Sequence, residues 1–117
     1  MKKIEIFSRH CKFSKFSENR ERVKGFSKEA CYKNLKKTLN RTTSNLTFLM
    51  DGELDKHFLN NEDEFKVKNI DGGSQAKSWD SALNYVKEKN FNDEQIIYFV
   101  EDDYLHLNNW SDILLDG

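Results

Sequence analysis

Residues 96–103 read Ile-Ile-Tyr-Phe-Val-Glu-Asp-Asp, and this stretch decides the fold. Five consecutive apolar or aromatic residues, three of them β-branched, are typical of a strand that is buried on both faces. The three carboxylates cannot continue into the core, because burying unpaired charges is costly. We therefore expect an acidic turn at the open end of the strand. Carboxylate oxygens are ligands that Mg²⁺ or Mn²⁺ prefers, although a solvated turn is the commoner explanation of an isolated acidic triplet.

Length and composition restrict the chain to one globular domain. The 117 residues can bury a real core but are few for an enzyme with two substrates. Apolar residues make up only 37%, and an aromatic content of 13% restores core volume. The net charge is −1, with basic and acidic residues interspersed, which argues against a nucleic-acid partner because such proteins carry a basic stripe.

The sequence favours a cytoplasmic protein with free thiols. Cys11 and Cys31 form no CxxC motif, and the first residues contain too short an apolar run for an export signal. No apolar run approaches the roughly 18 residues of a membrane span. We therefore expect a reducing compartment and no membrane-spanning segment.

Hydrophobic periodicity predicts an alternation of strands and helices. Strands are expected at residues 3–7, 46–50, 65–70 and 96–100. Ser27 should cap a helix with an apolar stripe at Cys31, Leu35 and Leu39. Ser74 should cap a second helix with a stripe at Trp79, Ala82, Leu83 and Val86. Shorter helices are expected near residues 54–58 and 110–114, and residues 8–24 are expected to form a long loop.

This order predicts an α/β fold, a Rossmann-like half with a mainly parallel sheet flanked by helices. Ligands bind such sheets outside the carboxyl ends of the strands. All four predicted strands end there in groups that can contact a ligand. The four ends are Ser8-Arg9-His10, Asp51-Gly52, Asp71-Gly72-Gly73 and Glu101-Asp102-Asp103.

Each of these residues also has a simpler explanation. Arg9 and His10 are as well explained as ordinary loop residues, and Asp51-Gly52 as a common turn pair. Gly73 suits a helix entry as well as an anion contact through backbone N–H groups, and Lys77 suits a solvated surface. Neither GxGxxG nor GxxxxGK[ST] occurs, so both nucleotide fingerprints are absent.

Taken together, these residues predict a site for a nucleoside-diphosphate-linked donor. A divalent metal on the acidic turn would neutralise a pyrophosphate, with Lys77 and the backbone of Gly72-Gly73 assisting. Asp51 and the first loop would hold the base and the ribose. The metal would act as a Lewis acid that stabilises the diphosphate leaving group.

The same residues resemble a known family, the metal-dependent glycosyltransferases of the GT-A fold, family 2-like. Asp51 at a strand end, residues 73–78 and the helix through Ala82 match its nucleotide-binding half. Residues 101–103 look like the D-x-D motif of that superfamily in an EDD form. The resemblance covers residues 1–117 as one minimal nucleotide-sugar-binding domain.

The resemblance implies roles for individual residues. Metal ligands would be Asp103, directly, and Asp102. Asp51 would accept from the uracil N3–H, and Lys77 would contact a phosphate. The residues that would bind the nucleotide-sugar are Ser8, Arg9, Asp51, Gly73, Lys77, Glu101 and Asp102. The cofactor would be Mn²⁺ or Mg²⁺, and the donor a UDP-sugar.

The family normally continues into a second half that supplies the acceptor contacts and, in inverting members, a catalytic base. Base candidates in this chain are His106, Asp112 and Asp116, and none is assigned. The leading hypothesis is a nucleotide-sugar-dependent hexosyltransferase with an unknown acceptor. One alternative is a non-transferring nucleotide-sugar-binding module or a fragment of a larger transferase. Another is a metal-dependent phosphatase or nuclease that uses the same acidic turn, with Asp51 and Asp71 as further acids that would complete a two-metal site. A homo-oligomer is a further expectation, since a partner copy would supply missing contacts.

Overall fold

The fold is a four-stranded sheet flanked by helices, seen here in a computed structural model. The structure describes residues 3–11, 27–52, 54, 57–70, 75–91, 93–102 and 104–116. The strands are β1 (Ile4–Cys11), β2 (Ser44–Asp51), β3 (Lys66–Ile70) and β4 (Ile96–Glu101). The helices are α1 (Lys28–Thr38), α2 (Gln75–Lys89) and α3 (Trp110–Asp116), with a 3-10 helix at Phe58–Asn61.

The sheet has the order β3-β2-β1-β4, and every neighbouring pair is parallel. The α/β class and the parallel sheet are therefore confirmed. From β1 the chain proceeds outward through β2 to β3, and it then crosses back to add β4 on the other side of β1. The strand order thus reverses between β1 and β4, which makes that gap the topological switch point.

The first strand is longer than the sequence predicts. The expectation that it stops at residue 7 and gives way to a loop at Ser8 is wrong, because β1 continues to Cys11. Polar residues continue the strand here because their side chains find partners inside the fold. Ser8 bonds to His10 on one face, and Arg9 pairs with Glu101 on the other.

The layer against α1 contains the larger core. The predicted stripe of α1 is confirmed, since Cys31, Leu35 and Leu39 are all buried. Ser27 caps the helix as expected, and its Oγ accepts from the Ala30 N–H at 2.9 Å. Strand residues, the 3-10 helix and α3 complete this core, whose buried members include Ile4, Ile6, Leu46, Phe48, Met50, Leu59 and Val100.

The buried face of α2 differs from the predicted apolar stripe at one position. Ala82 and Val86 are buried as expected, but Leu83 is 43% exposed. The helix is rotated so that Tyr85 packs edge-on against Phe7, with ring centroids 6.3 Å apart. Leu83 lies about 160° from Tyr85 around the helix axis and therefore turns toward solvent.

The shorter predicted helices also differ in detail. Between β2 and β3 the expected helix is a 3-10 helix, and the His57 side chain accepts from the Leu59 N–H at its start. The final helix is confirmed as α3, whose Trp110 Nε1 donates to Thr38 Oγ1 at 2.9 Å. The predicted cap Ser74 lies outside the described residues. No helix in the described ranges is long and apolar enough to cross a membrane.

The aromatic centre of the larger core gives a stability prediction. Phe48 is fully buried, and its ring lies 5.2 Å from that of Tyr32 and 5.4 Å from that of His10. Phe48→Ala removes these contacts and leaves a cavity, so we expect a loss of about 3–5 kcal/mol in the free energy of unfolding. Urea denaturation measures this change in the free energy of unfolding, with Lys37→Ala, at an exposed position, as the control. A loss under about 1 kcal/mol would contradict this packing.

Candidate functional site

The candidate site lies at the carboxyl edge of the sheet, where β1 and β4 end side by side. Arg9 is the register partner of Glu101, and Cys11 is the register partner of Asp51 on the other neighbouring strand. Both α1 and α2 begin at this edge, because each helix follows the carboxyl end of a strand. The first turns of two helices and the carboxyl ends of all four strands therefore lie at this edge.

Arg9 connects three elements at the switch point. Its side chain is nearly excluded from solvent, and its Nη2 lies 2.7 Å from Glu101 Oε1. Its Nη1 donates to Ser78 Oγ at 2.8 Å, and the guanidinium stands 4.7 Å from the centre of the Trp79 ring. The resemblance implied that Arg9 would bind the nucleotide-sugar. In the structure Arg9 is an internal cation that joins β1, β4 and α2.

Asp102 is held by two donors just beyond β4. The Cys11 N–H donates to Asp102 Oδ2 at 3.1 Å, and Lys28 Nζ lies 3.1 Å from the same oxygen. The side chains are 10% exposed for Asp102 and 23% exposed for Lys28. Lys28 was missed by sequence reasoning. The feature that could have indicated Lys28 is its position directly after the predicted cap Ser27, in the first turn of a helix that starts at the carboxyl edge.

The described residues do not by themselves form a divalent-metal site. They contain no group of three or more His, Cys, Asp or Glu side chains that could hold a metal ion. Glu101 and Asp102 are instead neutralised by Arg9 and Lys28. Asp103, which the resemblance implies as the direct ligand, lies outside the described residues.

Two other predicted binding residues lie at the same edge. Asp51 is the last residue of β2 and is partly buried. Gly52 follows it with φ 113°, a conformation that favours glycine, so the expected turn is present. Lys77 is exposed in the first turn of α2, next to the Ser78 that accepts from Arg9. Gly73 lies outside the described residues.

Ser8 and His10 occupy the opposite face of β1, in the layer shared with α1. Ser8 Oγ and His10 Nε2 are 2.9 Å apart, and both residues are fully buried. Aromatic rings surround the imidazole, with Phe48 and Phe58 at centroid distances of 5.4 and 5.7 Å. Burial lowers the pKa of His10 to about 3, so the ring is neutral in the folded protein. This pair is therefore built into the core.

A narrow crevice lies between β1, β4 and α1. Asp102 and the base candidate His106 both line it. The His106 Nε2 is 2.9 Å from the Tyr98 hydroxyl, and burial lowers the pKa of His106. Asp112 instead accepts from Asn40 Nδ2, at the amino edge of the sheet, and is therefore remote from the candidate site. The Asp116 side chain is outside the described part of the chain.

The buried imidazole makes stability dependent on pH. Because the pKa of His10 is lower in the folded chain than the usual 6.5, only the unfolded chain takes up a proton between about pH 6.5 and 3. Stability should therefore fall as the pH drops through this window, and His10 should account for about 2 kcal/mol between pH 7 and 5. Urea unfolding of His10→Gln at both pH values should show a smaller loss than the wild type.

The exposed Lys37→Gln serves as the control for that comparison and should behave as the wild type does. If His10→Gln and the wild type lose the same free energy between pH 7 and 5, the neutral buried imidazole is refuted.

Comparison with protein-family models, with curated proteins and with solved structures finds no match for this chain. The function must therefore be argued from the sequence motifs and from the geometry of the carboxyl edge.

Proposed function

We propose that this chain is the nucleotide-sugar-binding domain of a metal-dependent glycosyltransferase of the GT-A type. It binds a UDP-sugar at the carboxyl edge of the sheet and transfers the hexose to an acceptor of unknown identity, in the cytoplasm. One observation carries the proposal: the strand order reverses between β1 and β4, and the predicted acidic turn follows the end of β4 at that point. Nucleotides bind doubly wound sheets at such a switch point.

The electrostatics of the edge support a diphosphate ligand. Helix N-termini carry partial positive charge, and both α1 and α2 start at this edge. Each has a lysine in its first turn, Lys28 and Lys77. In this proposal the two lysines flank the diphosphate, while Arg9 positions Glu101 from within the sheet.

The base and the metal occupy different parts of the edge in this proposal. Asp51, at the end of β2, accepts from the uracil N3–H. Ser8, although the sequence placed it among the binding residues, is buried against His10 and makes no contact with the base in this proposal. Gly73 contributes its backbone N–H, and Glu101 and Asp102 face the ribose. The cofactor is Mn²⁺ or Mg²⁺, and because Arg9 and Lys28 already neutralise two acids, its binding depends on Asp103.

A non-transferring binding module is the second candidate, and the position of Asp112 favours it. That carboxylate lies at the amino edge, so among the described residues only His106 remains near Asp102 as a base candidate. Incubation with UDP-sugars, Mn²⁺ and water or simple sugar acceptors separates the two, since a module releases no UDP above background. A metal-dependent phosphatase or nuclease is the third candidate, and it would need Asp51 and Asp71 to complete a two-metal site with the acidic turn; Asp71 lies outside the described residues.

The first prediction concerns the metal. UDP binding should require Mn²⁺ or Mg²⁺, and Asp103→Ala should weaken it at least tenfold, because the diphosphate loses its counter-ion. Isothermal titration calorimetry with and without EDTA measures this, and Asp80→Ala, an exposed acid on α2, is the control. A UDP affinity that neither EDTA nor Asp103→Ala changes would contradict the metal assignment.

The second prediction concerns the base. Asp51→Ala should weaken UDP by about tenfold to a hundredfold, the usual range for a hydrogen bond to a charged group. Binding of Mn²⁺ should change little, because Asp51 ends a different strand from the acidic turn. Titrations of UDP and of Mn²⁺ on the same protein sample test this. An equal loss of both ligands would indicate misfolding and count against a base contact.

A further inference from the structure

The two edges of the sheet differ in their protection against strand pairing. β3 carries Lys66 and Lys68, and edge lysines of this kind discourage pairing with another chain. β4 carries no charge from Ile96 to Val100, and among the described residues its only strand neighbour is β1. Within the described part of the chain, one edge is therefore protected and the other is open.

The backbone of the open edge presents a regular set of hydrogen-bonding groups. The Ile96 N–H donates to the Lys3 carbonyl beside β1 at 2.7 Å. Because successive amides of a strand point to opposite sides, the amides of Tyr98 and Val100 also face β1. The N–H and C=O groups of Ile97 and Phe99 therefore point outward, away from the sheet.

Exposed apolar side chains accompany this edge. Ile97, on the edge strand β4, is 42% exposed. On the other face, His106 and Trp110 pack against Tyr98, and the residues around them are exposed. The large exposed side chains of this region are Tyr104, Leu105, Leu107 and Ile113. An open edge flanked by apolar surface is the usual form of a strand-pairing interface.

We propose that β4 pairs with β4 of a second copy of this chain, antiparallel, about a two-fold axis at Tyr98. In this register Ile97 lies opposite the partner's Phe99, and the outward amides and carbonyls of the two residues bond to each other. Ile96 lies opposite the partner's Val100, so each opposed pair is apolar. No like charges oppose each other within the paired strands, because Glu101 falls opposite the partner's Gln95.

The lysines on β3 favour a closed dimer over a filament. Pairing β4 with β3 of another copy would leave a free edge at each end and would grow without limit. Lys66 and Lys68 oppose that arrangement. Pairing of β4 with itself uses up both open edges and leaves only lysine-protected ones, so assembly stops at two copies.

The dimer has one continuous sheet built from the four strands of each copy. Because the paired strands are antiparallel, the two carboxyl edges face opposite ends of that sheet. Each copy therefore keeps its own candidate site, at the carboxyl end of its paired strand.

Sedimentation equilibrium of the full chain tests the pairing. We expect a mass of twice 13.9 kDa at micromolar concentration. Ile97→Lys should raise the dissociation constant at least tenfold, because it introduces a lysine of the kind that protects β3. Leu83→Lys is the matched control, with an equally exposed leucine on α2, and should leave the dimer intact. A monomer at all concentrations, or a dimer that Ile97→Lys leaves unchanged, overturns the proposal.

Amide hydrogen exchange tests the register separately. In the dimer the amides of Ile97 and Phe99 should be protected, and dilution to the monomer should remove this protection. The amides of Tyr98 and Val100 bond within the sheet and should stay protected in both states. A dimer in which Ile97 and Phe99 exchange as fast as in the monomer pairs through another surface and refutes the β4 interface.

Discussion

The ion pair of Arg9 with Glu101 is the interaction on which the carboxyl edge depends. It lies across the switch point, and the same guanidinium reaches Ser78 and the Trp79 ring. Because the Arg9 side chain is nearly excluded from solvent, removing the Glu101 carboxylate would leave a buried cation without its counter-ion, which is destabilising. The ends of β1 and β4 and the start of α2 are thereby fixed relative to one another before any ligand binds.

Local sequence patterns predicted most of the fold. The stripe of α1 and the apolar run of β4 are visible within a dozen residues, and alternation of strands with helices is typical of a parallel sheet. The end of β1 was not predictable in this way. Arg9 continues the strand because of Glu101, which lies 92 positions away along the chain. The rotation of α2, which exposes Leu83, likewise depends on the packing of Tyr85 against a distant strand.

The sequence predicted the location of the candidate site better than it predicted which charged groups surround its acidic residues. Parallel strands bring their carboxyl ends to one edge, so the placement of Asp51 at the same edge as the end of β4 follows from topology. Neither cation beside the acids was assigned to them, because these pairs form between elements distant in sequence. The acidic turn consequently differs from the bare cluster that its sequence suggested: the fold supplies Lys28 and Arg9 as counter-ions for two of the three carboxylates.

The Asp102 carboxylate also determines how one long segment is anchored. Residues 12–26 connect Cys11 to Ser27 and lie outside the described residues. One oxygen of Asp102 accepts from the Cys11 N–H and also pairs with the Lys28 ammonium. The two ends of that segment are thus held together independently of its length. Because closure entropy rises by only about 0.6 kcal/mol for each doubling of the number of residues between two anchors, the join between β1 and α1 tolerates changes in the length of the intervening sequence without a change at the edge.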